Sequence, residues 1–305
     1  MKILVAGATG LVGSALVPAL ASDGHTVCRL VRPETRSEGG TRGAFDVAWN
    51  PAIGELGGAG VGADAVVNLA GASIAGGRWT ESRKQLLRTS RVDTTRALVT
   101  ALGKMQARPS VLISASAIGF YGNRGEEILQ EASPPGNDFL AKVAQDWETE
   151  ALKAEAFRTR AVIMRFGIIL AKHGGALPRM MLPFRFGMGG RISSGKQWMS
   201  WITLDDVVQI LKLALTDAML RGQINVVAPE PVTNATFTRA LAKALRRPSL
   251  FPAPAFALKL AMGEMADALL LSSQRVVPGM LARVGYKFAS PQLEPALSKI
   301  VERKS

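Results

Sequence analysis

Cysteine, histidine and tyrosine are nearly absent from this chain of 305 residues. Cys28 is the one cysteine, so no internal disulfide can form, and a lone thiol fits a reducing cytoplasm. His25 and His173 are the only histidines and belong to no Cys/His cluster, which argues against a zinc centre. Phenols are limited to Tyr121 and Tyr286. No apolar run approaches the roughly 20 residues of a membrane span. The N-terminal apolar stretch, Ile3 to Ala6, runs straight into glycines, which is not the pattern of a secretory signal. Acid is also in deficit: 24 Asp and Glu against 37 Lys and Arg give a formal charge of +13. Such an excess raises nucleic acid as a partner. The basic residues are nevertheless spread from Arg29 to Lys304 without interleaved aromatics, so neither nucleic acid nor membrane is expected.

What is present begins at the N-terminus. Ile3 to Ala6 is long enough for one buried parallel strand and too short for a helix. Gly7, Gly10 and Gly13 follow at once, and Ser14 to Leu20 reads as a helix start. In a strand–turn–helix context the first glycine permits the sharp turn, the second lets backbone approach phosphate oxygens, and the third lets helix and strand pack closely. The helix start then offers free N–H groups to a pyrophosphate. Gly7, Thr9, Gly10, Leu11, Val12 and Gly13 are therefore candidate cofactor-binding residues.

Further along, Thr26 to Val31, Phe45 to Trp49, Ala65 to Leu69, Ser110 to Ala115 and Ala161 to Phe166 read as strands. Residues 34–44 and Gly54 to Gly62 read as loops. One long helix is expected from Thr80, its cap, to Lys104, and another from Asn137 to Phe157. Strands alternating with helices require right-handed crossovers and a doubly wound parallel sheet. After Gly167 the rhythm breaks into a glycine-rich, basic segment, Gly174 to Lys196, expected to be mostly loop. Asp205 and Asp206 are expected to cap a helix through Leu215; a strand Ile224 to Ala228, a helix Asn234 to Leu245 and a mostly helical C-terminal segment follow. The fold class expected is α/β: a Rossmann-type doubly wound parallel sheet over residues 1–170, with 200–230 returning to it. Residues 171–200 and 231–305 form a smaller, mostly helical substrate lobe.

Two basic clusters stand out, Arg78 to Arg96 and Arg239 to Arg247. On a helix, Lys84, Arg88 and Arg91 share one face, which suits either a solvated surface or an anionic ligand.

With these residues placed, nearly the whole chain resembles the extended short-chain dehydrogenase/reductase superfamily, and within it the NAD-dependent epimerase/dehydratase-like "epimerase family protein" branch, sometimes labelled a cell-division inhibitor. The resemblance is carried by GATGLVG at 7–13, NLAGASI at 68–74, SASAIGFYG at 114–122, RFGIIL at 165–170, GKQWMSWITLDDV at 195–207 and GEMADALLLSSQRVVP at 263–278. It implies a Rossmann sheet carrying NAD(P), with Leu69, Ala70 and Gly71 beside the adenine-ribose end. It leaves the reaction open.

An NAD-type second strand usually ends in a carboxylate for the ribose hydroxyls. Here Val31 is followed by Arg32, with Arg29 and Arg36 nearby. A guanidinium suits a 2′-phosphate, so NADP (NADPH) is the expected cofactor.

Superfamily dehydrogenases place a tyrosine and a lysine four residues apart on one helix. Neither tyrosine here has that lysine. In the matching helix Lys142 is present, as a candidate to hold the nicotinamide ribose, but Asp138 occupies the tyrosine's place. Asp138 is either an acid–base group of raised pKa or a helix cap. Ser116 matches the superfamily's second hydroxyl, with Ser114 as the alternative, and Tyr121 is the nearest phenol. Arg179, Arg185, Arg191 and Lys196 would suit an anionic, nucleotide-sugar-like substrate, and Trp198 or Trp201 a stacked ring. Two readings follow: an oxidoreductase or epimerase, or an NADP-binding regulatory protein linked to cell division. A homodimer stays open.

Overall fold

A computed structural model describes residues 1–32, 44–58 and 62–302. Its elements run β1 (Lys2–Ala6), α1 (Leu11–Ser22), β2 (Thr26–Val31), β3 (Ala44–Asn50), β4 (Glu55–Leu56) and β5 (Ala65–Asn68). There follow α2 (Glu81–Thr89), α3 (Val92–Gly103), β6 (Val111–Ala117), β7 (Ile128–Leu129), α4 (Phe139–Leu152), β8 (Arg160–Phe166), β9 (Ile168–Leu170) and α5 (Leu177–Arg185). The chain continues through β10 (Trp198–Met199), β11 (Trp201–Thr203), α6 (Leu204–Thr216), β12 (Gly222–Val226), β13 (Val232–Thr233), α7 (Asn234–Leu245) and α8 (Ala255–Met262), and a last helix covers Leu293–Glu302.

The main sheet has the order β12-β8-β6-β5-β1-β2-β3-β4. Every pairing is parallel except the outermost, β3 with β4. Strand order reverses between β1 and β5, the switch point at which such sheets open a crevice for ligands. Alternation along β1 explains the two layers of helices. Ile3 and Val5 face a core shared with Leu16 and Leu20 of α1 and Ile210 and Leu211 of α6. Leu4 and Ala6 face Leu98 and Leu102 of α3 on the other side. A third core joins Leu177, Met181 and Phe184 of α5 to Phe237 and Leu241 of α7 and Leu297 of the last helix.

Four local expectations change. Within the segment Gly54 to Gly62, expected to be loop, Glu55–Leu56 pairs with the end of β3; the loop expected at 34–44 lies, up to residue 43, outside the described residues. The helix expected from Thr80 to Lys104 is broken at Ser90 and Arg91, because Ser90 Oγ and the Arg91 guanidinium both donate to the Leu87 carbonyl that a continuing helix would use. Thr80 does cap α2, accepting from the Arg83 N–H. The segment expected to be mostly loop contains α5, whose apolar face is buried in the third core. The cap of α6 is Thr203, which accepts from the Asp206 N–H, while Asp205 and Asp206 lie inside the first turn. Among the described residues, no helix is long and apolar enough to cross a membrane.

Candidate functional site

The glycine turn sits at the switch point. Gly7 has φ 76°, a left-handed conformation open to glycine, and a Cβ there would lie 2.6 Å from the Leu69 carbonyl. Gly10 N–H donates to the Gly7 carbonyl at 3.0 Å and closes the turn. A Cβ on Gly13 would fall 2.3 Å from the Gly7 oxygen, so α1 can approach β1 only with glycine there. A Cβ on Gly10 would meet nothing nearer than that oxygen, at 3.3 Å. Val12 packs inward, whereas Thr9 and Gly10 are exposed and Leu11 half-buried. No side chain caps α1 and no acid stands in its first turn, which leaves its amide donors and positive end for an anion. This cradle fits a pyrophosphate. Leu69 N–H is bonded to the Ala6 carbonyl, and Leu69, Ala70 and Gly71 continue the rim from β5.

Arg32 is exposed one residue beyond β2. Arg29 is instead drawn to Asp46, at 2.7 Å. Arg36 lies outside the described residues.

The expected proton-transfer residues are dispersed. Ser116, at the end of β6, is 3% exposed and donates to Glu148 Oε1 at 2.6 Å. Glu148 also accepts a bidentate pair from Arg165, Nε to Oε1 and a terminal nitrogen to Oε2, both at 2.8 Å. Arg165 further donates to the Tyr121 hydroxyl at 2.9 Å, and its guanidinium lies 3.5 Å from the Phe120 ring centre. Tyr121 is fully buried and donates to Asn225 Oδ1 at 2.7 Å. Burial pushes its phenol up, with Arg165 and Asn225 offsetting only part of the rise. Its oxygen thus faces a sealed network, away from any solvent-reachable ligand. Burial works against the Arg165 charge, and Glu148 and Tyr121 outweigh it, so the guanidinium is held above its ordinary value.

Glu148 also fixes which side of α4 faces Ser116. Residues four apart share a helix face, so Ala144 and Leu140 lie on it one and two turns back. Ala144 is buried, and Leu140 packs on Gly119 just past β6. Lys142 lies about 200° round the helix from both and is exposed. Asp138 is exposed at the start of α4 and caps it, Oδ1 accepting from the Ala141 N–H at 2.9 Å. The face toward Ser116 therefore carries Leu140 and Ala144, neither able to move a proton.

Asp138 does line a cavity of ≈ 230 Å³ with Trp79, Asn123, Phe139, Leu140, Glu264 and Asp267. Glu264 is paired with Lys84 and Asp267 with Lys259. A larger cavity of ≈ 500 Å³ lies elsewhere, between Leu11, Leu170, Asp205 and Lys299, and touches neither Ser116 nor Asp138. Of the basic residues expected over the substrate, Arg179 donates to the Ala75 carbonyl, while Arg185, Arg191 and Lys196 are exposed. Trp201 is core, its indole donating to the Glu230 carbonyl. Trp198 donates to Glu126, with Arg275 over its ring at 4.2 Å.

Glu148 and Arg165 are the residues the sequence reading passed over. Each carries a signal: an acid on the apolar side of an amphipathic helix, and one cation inside the apolar strand AVIMRF.

Comparison with known proteins shows the family. Residues 3–228 match the NAD dependent epimerase/dehydratase family, and residues 253–300 match a domain of unknown function, DUF1731. The epimerase family protein ML0860 of Mycobacterium leprae (strain TN) is 40% identical over 304 residues, covering 99% of this chain and 96% of the relative. A crystal structure of human epimerase family protein SDR39U1 (isoform 2) with NADPH is similar over 100% of both chains, at 32% identity and a TM-score of 0.86. The nucleoside-diphosphate sugar epimerase of Corynebacterium glutamicum is 34% identical with a TM-score of 0.78, over 99% of this chain and 58% of that one.

Proposed function

The chain belongs to the NAD dependent epimerase/dehydratase family, and we propose that it is an NADPH-binding oxidoreductase or epimerase acting on a nucleotide-sugar-like substrate. The observation that carries this reading is the uncapped start of α1 behind a turn that only glycine can make at Gly7 and Gly13. Gly7, Thr9, Gly10, Leu11, Val12 and Gly13 would hold the pyrophosphate. Leu69, Ala70 and Gly71 would border the adenosine, and Arg32 would meet the 2′-phosphate. When bound, the nicotinamide supplies or accepts a hydride. The NADPH in the structure of the human relative and the name of the Corynebacterium relative, a nucleoside-diphosphate sugar epimerase, support the same assignment. On this reading the segments after Gly167 that leave the main sheet form the substrate side, and the buried Cys28 thiol suits a reducing cytoplasm.

Proton transfer falls to Asp138. One of its oxygens caps α4, and its carboxylate lines the cavity beside Asn123 and Trp79. Ser116 gives its own proton to Glu148, so its lone pairs are what it offers a substrate hydroxyl. Arg165 holds Glu148, and through it Ser116, in place.

A second reading has one specific observation behind it. Leu140 and Ala144 fill the helix positions that point toward Ser116, which suits a protein that binds NADPH without turnover. Calorimetry tests what both readings share. NADPH should bind at least tenfold tighter than NADH, since one charge-assisted contact is worth about 1.5–3 kcal/mol, and Arg32→Ala should remove most of that preference. Equal affinities would refute the 2′-phosphate assignment. Turnover separates the readings. With a panel of nucleotide sugars, Asp138→Asn should cost about 10²–10⁴-fold in rate while leaving the helix capped. No turnover in the unmodified protein leaves the second reading standing.

A further inference from the structure

The basic stretch Arg78 to Arg96 divides in the structure. Lys84 meets Glu264 at 2.6 Å, Arg88 meets Asp146 at 2.8 Å and Arg96 meets Glu150 at 3.1 Å. Arg83 and Arg91 meet no carboxylate. Both turn instead onto the loop after Gly71, whose carbonyls are taken one after another by side-chain donors. Arg91 donates to Ala72 at 2.9 Å, Arg83 to Ser73, Trp79 to Ile74 at 3.0 Å, and Arg179 from α5 to Ala75 at 2.7 Å. Among the described residues, none of the three arginines has an acidic partner within ion-pair distance. Arg83 Nε is buried with no hydrogen-bond partner at all.

Arg179 is exposed, but the Arg91 guanidinium and Arg83 Nε are drawn out of water, and like charges there without a counterion are unfavourable. Burial pulls the Arg91 guanidinium down to about 10, and the Arg83 charge pushes the same way. Holding a loop by its carbonyls needs donors, which Asn, Gln or Ser would supply without that cost. Three guanidinium groups, each a planar fork with five N–H donors, suit phosphoryl oxygens. Position points the same way. The Arg91 guanidinium carbon lies 3.2 Å from where a Gly71 Cβ would be, and Leu69, two residues earlier, touches Gly7. At the other end, Trp79 lines the ≈ 230 Å³ cavity. The row therefore runs from the glycine turn toward the Asp138 cavity.

We propose that Arg91, Arg83 and Arg179, set along residues 71–76, form a diphosphate-binding row, taking either the dinucleotide's pyrophosphate or the diphosphate of a nucleotide sugar. The inference rests on the function proposed above and names the residues that recognise its anion.

The test is calorimetry with inorganic pyrophosphate, NADPH and UDP, the last on protein saturated with NADPH. Pyrophosphate should bind the unmodified protein, more weakly as salt is raised. Arg83→Gln and Arg91→Gln should each weaken at least one probe about tenfold or more. Loss confined to NADPH and pyrophosphate assigns the row to the dinucleotide, and loss confined to UDP and pyrophosphate assigns it to the nucleotide sugar. Folded variants that bind all three probes within about twofold of the unmodified protein overturn the proposal. So does an unmodified protein that binds NADPH but not pyrophosphate. Should Arg91→Gln fail to fold, Arg83→Gln carries the test, because Arg83 has a single carbonyl bond to lose. Failure of the unmodified protein to bind NADPH would count against the function proposed above, whereas unchanged binding in the variants counts only against this row.

Discussion

Glu148→Gln removes one charge from a pair that has almost no access to water. The Glu148 and Arg165 side chains are 4% and 3% exposed, and Arg165 uses two nitrogens on that one carboxylate. Glutamine keeps the shape and one acceptor but leaves the guanidinium without a counterion, which for a buried pair costs about 3–5 kcal/mol. Unfolding entropy near the midpoint is about 2.1 cal/mol/K per residue, or about 0.64 kcal/mol/K over this chain, so the melting temperature should fall by about 5–8 °C. Ser116→Ala should do far less, about 1–2 °C, since Glu148 keeps both bonds to Arg165 and only one hydrogen bond near 1 kcal/mol goes. The double variant Glu148→Gln with Arg165→Met should recover part of the loss, because the stranded charge disappears with its partner. Scanning calorimetry on these four proteins and on the single variant Arg165→Met reads all of this. A fall below about 2 °C for Glu148→Gln, or strict additivity in the double variant, would refute the claim that this pair is sealed and coupled.

Two glycines of the turn should separate binding from folding. Gly10→Val should fold and lose NADPH by calorimetry, since its Cβ meets protein only at 3.3 Å, while Gly13→Ala should lower the melting temperature by about 2–5 °C, its Cβ falling 2.3 Å from the Gly7 oxygen. A healthy Gly13→Ala melting curve would contradict the close approach of α1 to β1. Cys28 should react slowly with Ellman's reagent until the protein is unfolded, because burial raises its thiol above the ordinary 9.0, with Lys2 opposing only weakly. The same shift fixes a sign: its contribution to stability is whole below pH 9.0 and is lost as pH climbs through the folded value, which denaturant titrations either side of pH 9 and on Cys28→Ala would read.

Legibility followed how local each signal was. The β1 strand, the Gly7 turn and the start of α1 were readable because strand length, glycine positions and helix start lie within twenty residues and depend on one another. The helix Asn234–Leu245 was readable to the residue, its apolar positions Phe237, Ala240 and Leu241 repeating at helical spacing. The break at Ser90 was not, because it depends on side chains bonding Leu87 and Ala72, and Ala72 belongs to a loop that only the sheet brings near. Helix α5 was hidden by Pro178 and Pro183 in a glycine-rich surround, and tertiary burial of Leu177, Met181 and Phe184 overrides that composition. The rotation of α4 was the costliest gap. Counting from Lys142 put Asp138 in the key place, whereas counting back from Glu148 gives Ala144 and Leu140. Sequence alone does not say which residue of a helix meets the strand, and the Arg165–Glu148 pair decides it here.

That rotation bears on how a substrate would lie. Asp138, Glu264 and Asp267 line the ≈ 230 Å³ cavity, and no lysine or arginine does. Glu264 and Asp267 are each held by a lysine outside the lining, so the cavity offers a diphosphate no cation. Along residues 71–76 the balance is opposite, with Arg83, Arg91 and Arg179 and no paired acid. An anionic substrate therefore has one favourable orientation on the proposed reading, with phosphoryl groups on the arginine row and the uncharged, hydroxyl-bearing ring in the carboxylate-lined cavity beside Asp138. In that orientation the ring's hydroxyls meet Asp138 at the start of α4, in a cavity that Leu140 also lines and Ala144 does not. Leu140 and Ala144 on the inner face of the helix then need not end chemistry. On the proposed reading the proton would be carried by Asp138, the residue that caps α4.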